Sequence, residues 1–320
     1  MSVEAKDKPE PATIAHLVAD YPNTRKIVDT ILETWPEHDS YIRKGLAARS
    51  ESVMRTTEEL AGAALVLAGS RLPEIAVNYR WTCDRLREEE LYFHRNGGYR
   101  LKTFEEADRE VYSNTEYMEK YVDGLLLSQI LWYNHAASCD FFMNAGRKLV
   151  PDGGSYLEIG PGHGLMMYLA LRDFGLDRAV AWDLSAVSVE QTRHALTLLG
   201  FEDAKFAVQD LTKIKPGEHR FDMVVLSEVL EHLEDPIPAM RNVRQLVDED
   251  SLVFINVPLN SPSPDHLYLM ETPEDARVLL TETGFEIVEE GLFPMQNMAL
   301  DRALRNKVSI SVCMFARPVA

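Results

Sequence analysis

The sequence predicts an α/β protein. A doubly wound parallel sheet fills residues 151–320, behind a mainly helical domain of residues 1–150. Three observations carry this. Apolar residues before position 150 recur at helical spacing. After Pro151 short apolar runs alternate with helical segments, as in repeated βαβ units. Glycines cluster at the end of the first such run.

In the first half, Thr13–Tyr21, Thr24–Trp35, Ser52–Ala68 and Pro73–Leu91 read as amphipathic helices. Asn96-Gly97, flanked by aromatic and apolar residues, predicts a short hairpin. A long helical run follows from about Thr115 to Leu149. Within it Tyr117, Tyr121, Gly124, Ser128, Trp132 and His135 recur three and four apart and share one face. That stripe is a core seam or a wall of the site.

In the second half the strand runs are Ser155–Ile159, Ala179–Trp182, Lys205–Val208, Met223–Leu226, Leu252–Val257, Phe285–Val288 and Val308–Phe315, with helical segments between the first five. Only Met295–Asn306 reads as helical between the last two. No internal repeat is visible.

Length and composition bound the function. At 320 residues, 46% hydrophobic and 26% charged, the chain is globular and long enough for two domains. The formal net charge of −18 opposes phosphate backbones and anionic lipid. Neither nucleic acid nor membrane is the expected partner. The apolar stretch Gly124–Tyr133 is too short to span a bilayer and is interrupted by Ser128 and Gln129. Cys83, Cys139 and Cys313 show no CxxC spacing, and the N-terminal residues lack the pattern of a secretory leader. The expected compartment is a reducing cytoplasm.

The segment Tyr156–Gly164, YLEIGPGHG, joins the first strand to its helix. Gly160, Gly162 and Gly164 let the backbone turn sharply and approach a ligand. Leu165 stands where a dinucleotide fingerprint needs its third glycine. Glu158 precedes the first glycine by two residues. Asp183 ends the second strand run, where a carboxylate can accept both ribose hydroxyls. Asp210 follows the third run, where an adenine amino group could be met. Each acid alone would pass for a strand-end or N-cap residue; three matching βα corners make a nucleoside crevice.

These motifs resemble those of class I S-adenosylmethionine-dependent methyltransferases. LEIGPGHG is similar to the family's first motif, AWDLS to the second, VQDL to the third and FDMVVLSEVLEHLEDP to the fourth, over residues 155–317. The resemblance implies a seven-stranded sheet with the last strand antiparallel. It implies S-adenosylmethionine as cofactor, with Glu158 and Gly160 near its amino-acid portion, Asp183 on the ribose, and Asp210 with Leu211 bounding the adenine. Leu184 and Ser227, inside the second and fourth motifs, join that set. The sulfonium methyl is already activated, so the protein needs to align an attacking atom and exclude water.

Ser227–Asp235, SEVLEHLED, gives Glu228, Glu231 and His232 an E-x-x-E-H spacing. On a helix these share one face, and His266 lies after the fifth strand at the same sheet edge. Two carboxylates and two imidazoles suit Mg, Mn, Fe or Zn. The quartet resembles the metal site of small-RNA 2′-O-methyltransferases and of ubiquinone-pathway O-methyltransferases. The same residues also occur as helix caps and packed histidines in metal-free members. His266, His232 and His135 are the candidate bases.

Tyr117 or Tyr121 could hydrogen-bond the cofactor carboxylate, and Trp132 or His135 could face substrate. Phe293, Met295 and Met298 in Gly291–Asn306 form a second candidate wall, explained equally by core packing or a homodimer contact. The expected activity is methyl transfer to a small metabolite, with oxygen slightly ahead of nitrogen. A non-catalytic cofactor-binding subunit stays open. Aminopropyl transfer is disfavoured, because Ser227-Glu228-Val229 stands in place of an Asp-rich strand-four pattern.

Overall fold

The computed structural model describes residues 13–214 and 220–319. The stretch read for a leader lies mostly outside them. The first half is helical: α1 (Ile14–Leu17), α2 (Pro22–Thr34), α3 (Asp39–Ala47), α4 (Glu51–Ala68), α5 (Leu72–Asn96), α6 (Phe104–Ala107), α7 (Thr115–Leu131) and α8 (Tyr133–Leu149). The second half alternates: β1 (Ser155–Ile159), α9 (Leu165–Asp173), β2 (Arg178–Asp183), α10 (Ala186–Leu198), β3 (Lys205–Val208), β4 (Met223–Ser227), α11 (Pro236–Arg244), β5 (Leu252–Leu259), α12 (Pro273–Glu282), β6 (Phe285–Pro294), α13 (Leu300–Arg305) and β7 (Ile310–Pro318).

The seven strands form one sheet in the order β3-β2-β1-β4-β5-β7-β6, with β7 antiparallel to both neighbours. Strand order reverses between β1 and β4, the topological switch point that opens a ligand crevice at the carboxyl edge. Side chains alternate along each strand. Tyr156, Met223, Val225, Phe254 and Phe315 face a core that continues through α9 and α8 into α2, α4, α5 and α7. Leu157, Ile159, Val224, Leu226, Ile255 and Met314 face the opposite core, closed by α11, α12 and α13. Burial on both faces explains why the inner strands read as unbroken apolar runs.

Three expectations change, and one apolar stretch not singled out above comes to light. Gly97 adopts a left-handed conformation (φ 76°) and caps α5, its N–H on the Phe93 carbonyl at 2.7 Å, so Asn96-Gly97 ends a helix instead of turning a hairpin. The long run to Leu149 is two helices, broken at Trp132, whose ψ of 131° is extended. Between β3 and β4 the described residues hold only a 3-10 turn, Leu211–Lys213. Finally, Glu51–Asn96 contains an 18-residue window of mean hydropathy 1.4, apolar enough by composition to cross a membrane. Of that window 44% is buried. α4 packs against α2, α7 and α8, the surroundings of a core helix.

Candidate functional site

The glycine loop links β1 to α9 at the crevice. Gly160 has φ 65°, and a Cβ there would stand 2.8 Å from Val229 Cγ2. Gly162 has φ 52° and open space where its Cβ would point. The loop is held from outside: the Gly160 N–H donates to the Trp182 carbonyl at 2.8 Å, and Thr192 Oγ1 to the Gly162 carbonyl at 2.7 Å. The backbone is thus fixed while its inner surface stays bare, which suits a polar ligand end at a helix N-terminus.

Glu158 is buried on the face covered by α8, and the Tyr156 hydroxyl donates to it. Burial pushes its carboxyl up to about 8, against that hydrogen bond. Asp183 ends β2 with Oδ1 on the Ser185 N–H at 2.8 Å. Burial raises its pKa. Leu184 beside it is 54% exposed. The corner thus offers a carboxylate and a bare apolar side chain to a nucleoside. Asp210 is used locally. Its Oδ1 accepts from the Thr212 N–H and hydroxyl at 2.9 and 2.6 Å, and Lys213 Nζ pairs with Oδ2 at 2.6 Å. It caps the turn that carries buried Leu211. Ser227 Oγ accepts from Asn256 Nδ2 at 3.1 Å, which joins the ends of β4 and β5.

The acid–histidine segment differs from the expected helix. Glu228 has φ 55°, and only Leu230–His232 forms a 3-10 turn. The chain leaves β4 through this kink, and Glu231 and His232 still turn toward the crevice. Ligand atoms of Glu231, His232 and His266 lie within 4.8 Å of one another. Glu228 stands beside Glu231 outside that trio. Both Glu231 oxygens and Glu228 Oε1 are buried without a hydrogen-bond partner. Burial raises both carboxyls, Glu228 to about 7 and Glu231 well above its ordinary value, where the charge of Glu228 adds to the effect of burial. Orphaned buried carboxylate oxygens beside two imidazoles are a donor set that fits a divalent cation. His266 Nδ1 donates to the Ser261 carbonyl at 2.7 Å, which leaves Nε2 free as a donor atom for a ligand or ion. Burial lowers the His266 pKa to about 4, so the ring is neutral.

Several residues of the site carry no signal in the sequence pattern. A five-residue π turn, Asp108–Tyr112, presents Tyr112 to His232 Nδ1 at 3.1 Å. Single π turns occur often at functional sites. Tyr99 stands edge-on to His266 at 5.7 Å, its hydroxyl accepting from the Ser261 N–H at 3.2 Å. Asp265 and Ser263 lie buried beneath. Tyr121 is not free to meet a cofactor carboxylate: its hydroxyl is shared by Ser263 and by Asp265 Oδ1. Tyr117 stays half-buried, edge-on to Trp81 at 4.8 Å.

His135 lies on the other wall, near His163 of the glycine loop. Burial, with His163 nearby, depresses it to about 3. So weak a proton acceptor suits a hydrogen-bonding wall better than a base. Its Nδ1 lies 3.0 Å from Ser128 Oγ and 3.2 Å from Gln129 Nε2. Phe293 packs on Phe141 of α8 at 5.8 Å, and Met298 packs on the second core.

The reversed strand order, the final antiparallel strand and a G-x-G-x-G loop facing acidic strand ends define the class I, S-adenosylmethionine-type methyltransferase domain. Residues 133–290 match the family model described as a methyltransferase domain. A ubiquinone biosynthesis O-methyltransferase of Neisseria meningitidis serogroup A is 29% identical over 126 residues, 38% of this chain and 51% of that protein. A trans-aconitate 2-methyltransferase of Enterobacter sp. is 25% identical over 157 residues, 44% of this chain and 60% of that protein. The chain thus spans about half the length of the ubiquinone-pathway relative. The solved structure of the mitomycin 7-O-methyltransferase MmcR shares the fold at a TM-score of 0.50, with 16% identity over 80% of this chain and 73% of that one.

Proposed function

We propose that this protein transfers a methyl group from S-adenosylmethionine to an oxygen of a small-molecule acceptor, with a divalent cation at Glu231, His232 and His266 and Glu228 as a nearby fourth candidate. The convergence of Glu231, His232 and His266 beside the glycine loop carries the reading. The similarity to a ubiquinone-pathway O-methyltransferase supports the choice of oxygen over nitrogen.

When bound, the cofactor supplies an activated methyl, and a cation at this site lowers the pKa of a hydroxyl that it touches. The chain's own residues do the rest. The glycine loop and Asp183 hold the two ends of the cofactor crevice. Glu158 offers a buried carboxylate to a cationic group. Tyr112 and Tyr99 pack against the two histidines of the acid–histidine cluster. His266 stays neutral, with Nε2 presented to the cleft.

The test is metal content by plasma mass spectrometry, with turnover of catechol-type and amine acceptors, for wild type and His232→Ala. Near-stoichiometric metal that is lost in the variant, with O-methylation lost alongside, is the expected result. Metal-free protein that takes up none on soaking, with equal turnover in both forms, overturns it.

A further inference from the structure

The carboxylate that organises this cluster is outside the expected ligand set. Asp265 is 4% exposed. Its Oδ1 accepts from the Tyr121 hydroxyl at 3.0 Å and from Ser263 Oγ at 2.9 Å. Its Oδ2 lies 3.4 Å from both the Tyr112 hydroxyl and His232 Nδ1. Its backbone carbonyl lies 3.2 Å from the same Nδ1. Two acceptors of one residue therefore address one imidazole nitrogen. A proton on Nδ1 satisfies them, and the Nε2 lone pair then points away, toward Glu231 Oε1 at 3.9 Å. In the opposite tautomer Nδ1 could accept only from the Tyr112 hydroxyl at 3.1 Å, which would take that proton away from Asp265 Oδ2 and leave the Nδ1 lone pair facing both Asp265 oxygens, a repulsive arrangement in a buried setting.

We propose that Asp265 is the positioning residue of this site: it fixes His232 as the Nδ1–H tautomer, so that His232 Nε2 joins His266 Nε2 and the Glu231 carboxylate. His266 is held by the same device, with the Ser261 carbonyl in place of Asp265. The hub also fastens the helical layer to the site. Tyr112 comes from the π turn and Tyr121 from α7, and both end on this one carboxylate. Removing the carboxylate leaves His232 Nδ1 only the Asp265 backbone carbonyl and the Tyr112 hydroxyl, which weakens its hold on the ring and loosens both tyrosines together. The assignment to metal binding rests on the function proposed above; the assignment of the tautomer does not.

Two measurements separate them. The first is long-range 1H–15N NMR of the histidine rings in wild type, under mildly basic conditions, with His232→Gln to assign the signal. Protonated Nδ1 with bare Nε2 on His232 is the expected pattern; protonated Nε2 overturns the proposal even if metal binds. The second is titration with Mn(II) and Zn(II) of wild type, Asp265→Asn and Tyr112→Phe. Circular dichroism and S-adenosylhomocysteine affinity check the fold. Asp265→Asn should weaken the ion by about 10- to 100-fold, the usual effect of losing such a partner. Tyr112→Phe, which keeps the carboxylate, should weaken it far less. A folded Asp265→Asn protein with unchanged affinity and tautomer refutes the proposal. Wild type that binds no ion while His232 keeps protonated Nδ1 removes the metal reading and upholds the orienting role.

Discussion

Glycine, glutamate and a kinked acid set the site at the scale of single residues. At Gly160 a methyl group meets Val229 at 2.8 Å in a left-handed backbone; at Gly162 it meets only open space. Both substitutions to alanine bear the left-handed penalty of about 1–2 kcal/mol. Gly160→Ala adds a clash, so thermal unfolding should show it as the less stable of the two. Gly162→Ala should keep most of its stability and lose cofactor affinity, because its methyl group fills the bare surface; isothermal titration with S-adenosylhomocysteine checks this. Equal affinity in Gly162→Ala and wild type would place the ligand elsewhere. Glu158 gives a pH prediction. Burial raises it from 4.5 to about 8. Its contribution to stability is therefore complete below its ordinary value and is lost as pH rises through about 8. A cationic amino group prefers the ionised form. Cofactor affinity should climb toward about pH 8 and then level, by up to about tenfold per unit. Glu158→Gln should flatten that dependence and gain relative stability in alkali. A flat wild-type profile would separate Glu158 from the cofactor's amino end. The glycines and the acidic strand ends were legible because their spacing is local. Asp265 and Tyr112 were not, because Tyr112 meets Asp265 across 153 positions of chain and no pattern in either segment announces the other.

At the scale of elements, strands were easier to read than the joins between helices. Ser155–Ile159 and Lys205–Val208 fall where their apolar runs place them. The longer reach of β6, to Pro294, was hidden by its half-exposed, glutamate-rich edge. The break at Trp132 has neither proline nor glycine to mark it. It is made by tertiary contact: Trp132 Nε1 donates to the buried Tyr79 hydroxyl at 2.9 Å. The Asn-Gly signal was sound as a left-handed position and wrong as a hairpin, since a helix end uses the same conformation. The segment from Tyr99 to Tyr112 is a strap over the acid–histidine cluster. It is fastened near its middle by the Phe104 N–H on Glu234 Oε1 at 2.8 Å and packed through Leu101 and Ala107 on Leu267. Glu234→Ala should release that point at a cost of about 1 kcal/mol. Hydrogen exchange should then quicken about fivefold over residues 99–112 while the sheet stays protected. Equal exchange in both proteins would mean that the Leu267 contact alone holds the strap.

At the scale of the whole molecule, the helical layer and the sheet share one apolar core, running from Ile14 to Phe315 without interruption. Phe142 of α8 sits at its centre. It is fully buried, with ring centroids 5.2 Å from Phe174, 4.9 Å from Phe254 and 6.2 Å from Phe315. Beside it Gly146 has no room for a side chain: a Cβ would stand 2.4 Å from Phe174 Cζ. Composition divides the chain near residue 150, yet packing of this density couples the two parts. Cooperative unfolding follows. Tryptophan fluorescence, with Trp35, Trp81 and Trp132 in the helical half of the chain and Trp182 in β2, should report one transition, and single-tryptophan proteins should report the same midpoint from either side. Phe142→Ala removes a large ring from both layers at once and should cost about 3–5 kcal/mol, moving every probe together. If the helical probes melt first and Phe142→Ala shifts only the sheet, residues 1–150 form an independent domain, and the strap and the two tyrosines reach the site from a separately folding unit.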